Sequence, residues 1–107
     1  MEDPLRILGG DAQSPDGDIG LGSDALVKLF TWLVFLRTFD ERAVALQRQG
    51  RIGTYPTFWG EEATQAGPLL ALGDQDWVFP SYRQNAVGLL RGLPASVPLA
   101  YRRGYGG

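Results

Sequence analysis

The chain has 107 residues, enough for one domain at most, and its 44% hydrophobic content is that of a folded protein. Ten basic residues against 12 acidic ones leave a net charge of −2, which gives no reason to expect nucleic acid or an anionic membrane as partner. With no cysteine and no histidine, the sequence excludes disulfides, thiolate-ligated zinc, imidazole bases and catalytic triads, and a cytoplasmic location is expected.

Residues 1–22 are rich in glycine, aspartate and proline and are expected to form a flexible lead-in, with a short strand conceivable only at Leu5–Leu8. They lack the basic and apolar regions of a signal peptide. From Ala25 the pattern is helical, with Ser23 as the expected N-cap, and it runs to about Gln49, where Gly50 fits the position just beyond a helix end. Leu26, Leu29, Phe30, Leu33, Leu36 and Phe39 form one stripe, while Trp32, Val34 and Phe35 lie off it. A helix apolar on nearly every side is normally buried on every side, and a chain this short has little material for that. Arg37 and Glu41 are spaced to pair along the helix.

Gly50 to Gly60 is irregular but carries Ile52, Tyr55, Phe58 and Trp59, aromatic and apolar groups that pack inward or line a pocket. A second helix is expected from Gly60 to Leu72. Glu61 and Glu62 would offset its dipole, Ala63, Ala66 and Gly67 would form a small-residue face, and Pro68 would kink it. Gly73–Asp76 reads as a turn and Trp77–Pro80 as a short buried strand. Ser81 is the expected cap of a third helix, Tyr82 to about Leu90, ending at Gly92, and residues 94–105 have room for one more short helix.

Arg37, FDER (residues 39–42), LQRQGR (46–51), GEEATQ (60–65) and DWVFPSYR (76–83) occur in an order and spacing that resembles one family. This is the N-terminal part of the thiamine diphosphate-dependent alpha subunit of 2-oxo acid dehydrogenase complexes. The pyruvate-specific type is preferred and the branched-chain type comes second. The resemblance covers roughly residues 23–103 and rests on several separate motifs. It implies that this chain is mostly α and is the N-terminal portion of an α/β thiamine diphosphate-binding fold, with residues 23–107 an incomplete part of that domain. The implied activity is oxidative decarboxylation of a 2-oxo acid on thiamine diphosphate, with transfer of the acyl group to a lipoyl carrier. The implied partners are a beta subunit, which supplies the activating glutamate, and a lipoyl-bearing acyltransferase; the working unit implied is a heterotetramer of two alpha and two beta subunits.

Through the same resemblance, Tyr82 and Arg83 match a pair that contacts the cofactor's diphosphate. A guanidinium binds phosphate oxygens in a fork and a phenol adds one donor, and a helix start at this point would favour the anion further. Taken alone, the two residues read more readily as a packed phenol and a surface ion pair of Arg83 with Asp74 or Asp76; the surrounding motifs reverse that. Thr54 and Tyr55 match the neighbourhood of the substrate pocket, against the plainer reading of a packed aromatic loop. No catalytic residue is assigned within the chain, and the ligands of the magnesium ion are expected beyond Gly107, so the isolated chain is not expected to be competent. After Arg83 the residues are Gln84, Asn85 and Ala86, where many members carry an acidic residue, histidine and glycine. The alternative is a non-catalytic helical interaction protein derived from that subunit, docking through the 25–39 helix.

Overall fold

A computed structural model of the chain describes residues 20–104, and the lead-in's first part, with its Leu5–Leu8 strand, lies outside them. Four helices follow one another: α1 (Ser23–Arg48), α2 (Glu62–Ala71), α3 (Ala86–Leu90) and α4 (Ser96–Arg102). Among the described residues there is no strand, so this part of the chain is mostly α as expected. No helix among them is long and apolar enough to cross a membrane.

Helix α1 starts slightly earlier than its pattern suggests. Gly22 occupies the cap position and accepts the Leu26 N–H, while Ser23 falls in the first turn and makes no cap bond. At the other end Gly50 stands at φ +70°, the left-handed conformation in which a side chain would clash, and the helix stops there as expected.

Only the second half of α1 is sealed. Leu36, Phe39, Asp40 and Ala43 are buried, and Leu29, Trp32 and Leu33 pack against the core from its edge. The apolar stripe is therefore shifted from the expected one: Leu26 and Phe30 are exposed, Phe30 by 68%, while Trp32 joins the core from outside the stripe. Val27, Val34 and Phe35 are exposed as well.

The core lies where α1, the loop after it, α2 and α3 meet. Leu36, Phe39 and Ala43 face Ile52, Tyr55 and Phe58 of the loop, Ala66 of α2, and Ala86 and Leu89 of α3. Phe39 sits between two rings, edge-on to Tyr55 and stacked on Phe58, with both centroids 6.4 Å away. The loop aromatics thus do what helix residues usually do, closing a small core that the helices alone would leave open.

The buried face of α2 is Glu62, Gln65, Ala66 and Leu69, a spacing that places all four on one side of the helix. Of the expected small-residue face only Ala66 packs into the core: Ala63 is exposed and a methyl group added at Gly67 would meet open space. Pro68 lies inside α2 and is exposed.

Two further expectations are corrected. Trp77–Pro80 is neither strand nor buried. Trp77 is 84% exposed and Phe79 86%, their rings stacked on each other, because a strand needs a neighbour to pair with and none stands beside this segment among the described residues. The third helix begins at Ala86, not Tyr82. The Gln84 side chain accepts the Ser81 N–H at 2.8 Å while the Gln84 N–H donates to the Ser81 carbonyl, which closes residues 81–84 into a separate turn and leaves Asn85 at the cap position of the helix. The Gly73–Asp76 turn forms as expected, with Asp76 accepting the Gly73 N–H and Arg91 donating to the carbonyls of Gly73, Asp74 and Asp76. Helix α4 is the short one expected, and its last turn is tied to the loop by the Gly53 N–H, which donates to the Arg102 carbonyl at 2.8 Å.

Candidate functional site

Asp40 organises the loop on which the site is built. Its carboxylate, buried on the inner face of α1, accepts the Tyr55 hydroxyl at 2.7 Å and the Phe58 N–H at 3.1 Å on one oxygen, and the Thr57 hydroxyl on the other. Thr57 in turn accepts the Trp59 N–H. A buried carboxylate is costly to desolvate unless such donors surround it, and here the loop supplies them. Burial, reinforced by the bond to Asp40, pushes the Tyr55 phenol well above the usual tyrosine range.

A second polar link joins α1 to α2. Arg37 Nε donates to Glu62 Oε1, and Glu62 Oε2 accepts the Gly60 N–H at 2.9 Å. The Arg37 guanidinium also lies 5.3 Å from the centre of the Trp59 ring. The hydrogen bond from Arg37 holds the Glu62 carboxyl below the usual glutamate value, outweighing the burial that opposes it. The expected pairing of Arg37 with Glu41 is thus replaced by a bond to a residue 25 positions away, because α2 brings a buried acceptor closer. Glu62 does more than offset a helix dipole.

Tyr82 and Arg83 stand on the turn before α3, not at a helix N-terminus, so no helix start aids them. Tyr82 is 67% exposed, with the Arg83 guanidinium 5.5 Å from its ring centre. Arg83 Nη1 donates to the Thr57 carbonyl at 3.3 Å, across a sequence gap of 26 residues. The Arg83 carbonyl accepts Gln65 Nε2 at 3.1 Å. Arg83 therefore makes no ion pair with Asp74 or Asp76; Arg91 holds that turn instead. The structure brings Arg83 against the Thr54–Trp59 loop. Within that loop Thr54 is exposed, whereas Tyr55 is buried with its hydroxyl turned to Asp40.

An exposed guanidinium beside an exposed phenol, with one guanidinium bond already fixing its direction, is an arrangement suited to an anion with several oxygens. Among the described residues no group of three or more His, Cys, Asp or Glu side chains could hold a metal ion. Asp40 and Gln65 were not singled out by the sequence. Asp40 lies in the charged run FDER, which resembles a solvated helix face; its only hint was its place one residue after Phe39 on the apolar side.

The sequence matches the dehydrogenase E1 component family over residues 31–104. The chain belongs to that family. Among curated dehydrogenase relatives it is 33% identical, over 94% of its length, to the pyruvate dehydrogenase E1 component subunit alpha of Staphylococcus epidermidis. It is 37% identical over 89% of its length to the protein of the same name from Bacillus subtilis. It is also 35% identical over 94% of its length to the 3-methyl-2-oxobutanoate dehydrogenase subunit alpha of Mycobacterium tuberculosis. The chain spans about a quarter of the length of these relatives, 28%, 24% and 28% respectively. The resemblance read from the ordered motifs is borne out, and it extends to relatives with two different 2-oxo acid names.

Proposed function

We propose that this chain is part of the alpha subunit of a thiamine diphosphate-dependent 2-oxo acid dehydrogenase, and that Tyr82 and Arg83 hold the cofactor's diphosphate. The observation that carries the reading is the turn at residues 81–84. It presents the Arg83 guanidinium and the Tyr82 ring together at the surface, with the guanidinium aimed by the Thr57 carbonyl. When bound, thiamine diphosphate supplies the thiazolium carbon on which a 2-oxo acid loses carbon dioxide. The part of this chain is to bind and orient: Arg83 offers its remaining N–H groups to phosphate oxygens, and Tyr82 offers its hydroxyl. The protein that would receive the acyl unit is a lipoyl-bearing acyltransferase. The magnesium ligands and the activating glutamate lie outside this chain, the latter on a beta subunit. Pyruvate is the preferred substrate, with a branched-chain 2-oxo acid second; relatives of both names support the class.

The test is thiamine diphosphate binding, measured with magnesium and the beta subunit in an alpha subunit that contains this segment. Arg83→Ala should weaken binding by roughly 1.5–3 kcal/mol, about tenfold to a hundredfold. Unchanged affinity would remove Arg83 from the site.

One observation favours a second reading, a non-catalytic interaction role. Leu26, Val27, Phe30, Val34 and Phe35 expose an apolar surface along α1. Size-exclusion chromatography with and without a beta subunit tests the interaction reading against an inert fragment, because an unshifted elution would exclude docking through this helix.

A further inference from the structure

Gln65 is a buried polar side chain that the anion-binding reading does not use. It is 7% exposed, its Nε2 donates to the Arg83 carbonyl at 3.1 Å, and its Oε1 has no partner. A buried amide oxygen without a donor is unfavourable, and a methionine or leucine would fill the same space without that cost. Rotating the amide would not help, since it would set oxygen against the Arg83 carbonyl oxygen. What the amide supplies that an apolar side chain could not is the bond to Arg83.

Arg83 is thereby held at both ends. Gln65, from α2, fixes its carbonyl, and the Thr57 carbonyl fixes its guanidinium. Thr57 is itself secured, its hydroxyl donating to the buried Asp40 of α1. The 81–84 turn is thus suspended between α2 and the loop anchored on α1, and the direction of the guanidinium depends on both attachments.

We propose that Gln65 is a positioning residue for Arg83, setting the guanidinium in place for a diphosphate. This rests on the reading of Arg83 as an anion-binding side chain. A long side chain loses considerable freedom when it binds, and a tether at its backbone reduces how much must be lost at that moment.

The experiment titrates the 107-residue chain with inorganic pyrophosphate and follows 15N relaxation of the Arg83 Nε–H group without the anion. Gln65→Met is expected to leave the chain folded, to make that group more mobile, and to weaken pyrophosphate binding about twofold to tenfold. In an Arg83→Met background the same substitution should weaken binding no further, since the two act as one unit. Gln65→Glu, which sets a carboxylate oxygen against the Arg83 carbonyl, should weaken binding likewise and decides the matter if Gln65→Met does not fold. Unchanged affinity and mobility in the Gln65 variants, with binding still lost in Arg83→Met, would overturn the positioning role and leave the reading of Arg83 standing. Equal weakening by Gln65→Met with and without Arg83 would show a space-filling role and overturn it too. If Arg83→Met binds as well as the unaltered chain, or the unaltered chain binds no pyrophosphate, the reading of Arg83 fails and the positioning role fails with it.

Discussion

Arg37 Nε stands 2.5 Å from Glu62 Oε1 and fastens the middle of α1 to the first turn of α2. Because the bond holds the Glu62 carboxyl below its ordinary value of 4.5, the folded chain binds fewer protons there than the unfolded chain. Its contribution to stability is full above the ordinary glutamate range and is lost as the pH falls through the lower folded value. Denaturation midpoints measured from pH 7 down to pH 3 should therefore drop, and Glu62→Gln should flatten that drop. An equally steep fall in the variant would show that other carboxylates govern it.

Asp40→Ala removes the acceptor for the Tyr55 hydroxyl and the Phe58 N–H, both buried. Each orphaned donor costs about 1–3 kcal/mol, so a loss of roughly 2–6 kcal/mol is expected in urea denaturation. Asp40→Asn keeps an oxygen for these two donors and should cost less. A loss under about 1 kcal/mol in the alanine variant would show that water replaces the carboxylate at little cost.

The Tyr55 phenol gives a test at the other end of the pH scale. Burial and the bond to Asp40 raise it, so the folded chain keeps a proton that the unfolded chain gives up near pH 10. Stability is expected to fall as pH rises above that value, and ultraviolet titration should show one tyrosine that ionises only on unfolding. In Tyr55→Phe the ionisation coupled to unfolding should vanish. Its persistence would assign it to another ring.

Gly53→Ala tests how α4 is attached. A methyl group built on Gly53 would stand 2.9 Å from the Arg102 carbonyl oxygen, the same atom that accepts the Gly53 N–H. Backbone cannot yield as a flexible side chain does, so a loss of about 1–3 kcal/mol is expected, with the change in amide chemical shifts concentrated at residues 96–104. Shifts confined to the loop would mean that α4 accommodates the methyl group.

What could be read in advance follows the range of the forces involved. The extent of α1 and its stop at Gly50 were legible, because a period of 3.6 and a left-handed glycine are local matters. Trp77–Pro80 has the composition of a buried strand, yet composition says nothing of whether a partner strand stands beside it. Ser81 has the chemistry of a cap, but residues 81–84 close on themselves as a turn and the helix starts only at Ala86. Arg37 was expected to pair with Glu41 one helical turn on and took a carboxylate supplied by folding. For the site, the chemistry of Tyr82 and Arg83 was legible in their residue types and motif. That Arg83 leans on Thr57 and hangs from Gln65 was not, because both contacts cross long gaps in sequence.

Helix α1 spans 26 residues without a break, but its buried side chains begin only at Leu36. A rod gripped along one half responds unevenly to thermal motion. Amide protons around Leu36–Ala43 should be released only when the core opens, whereas those before Leu29 should exchange through local fraying. One continuous helix should thus behave as two units of cooperativity, and hydrogen–deuterium exchange would draw the line between them within a single element of secondary structure.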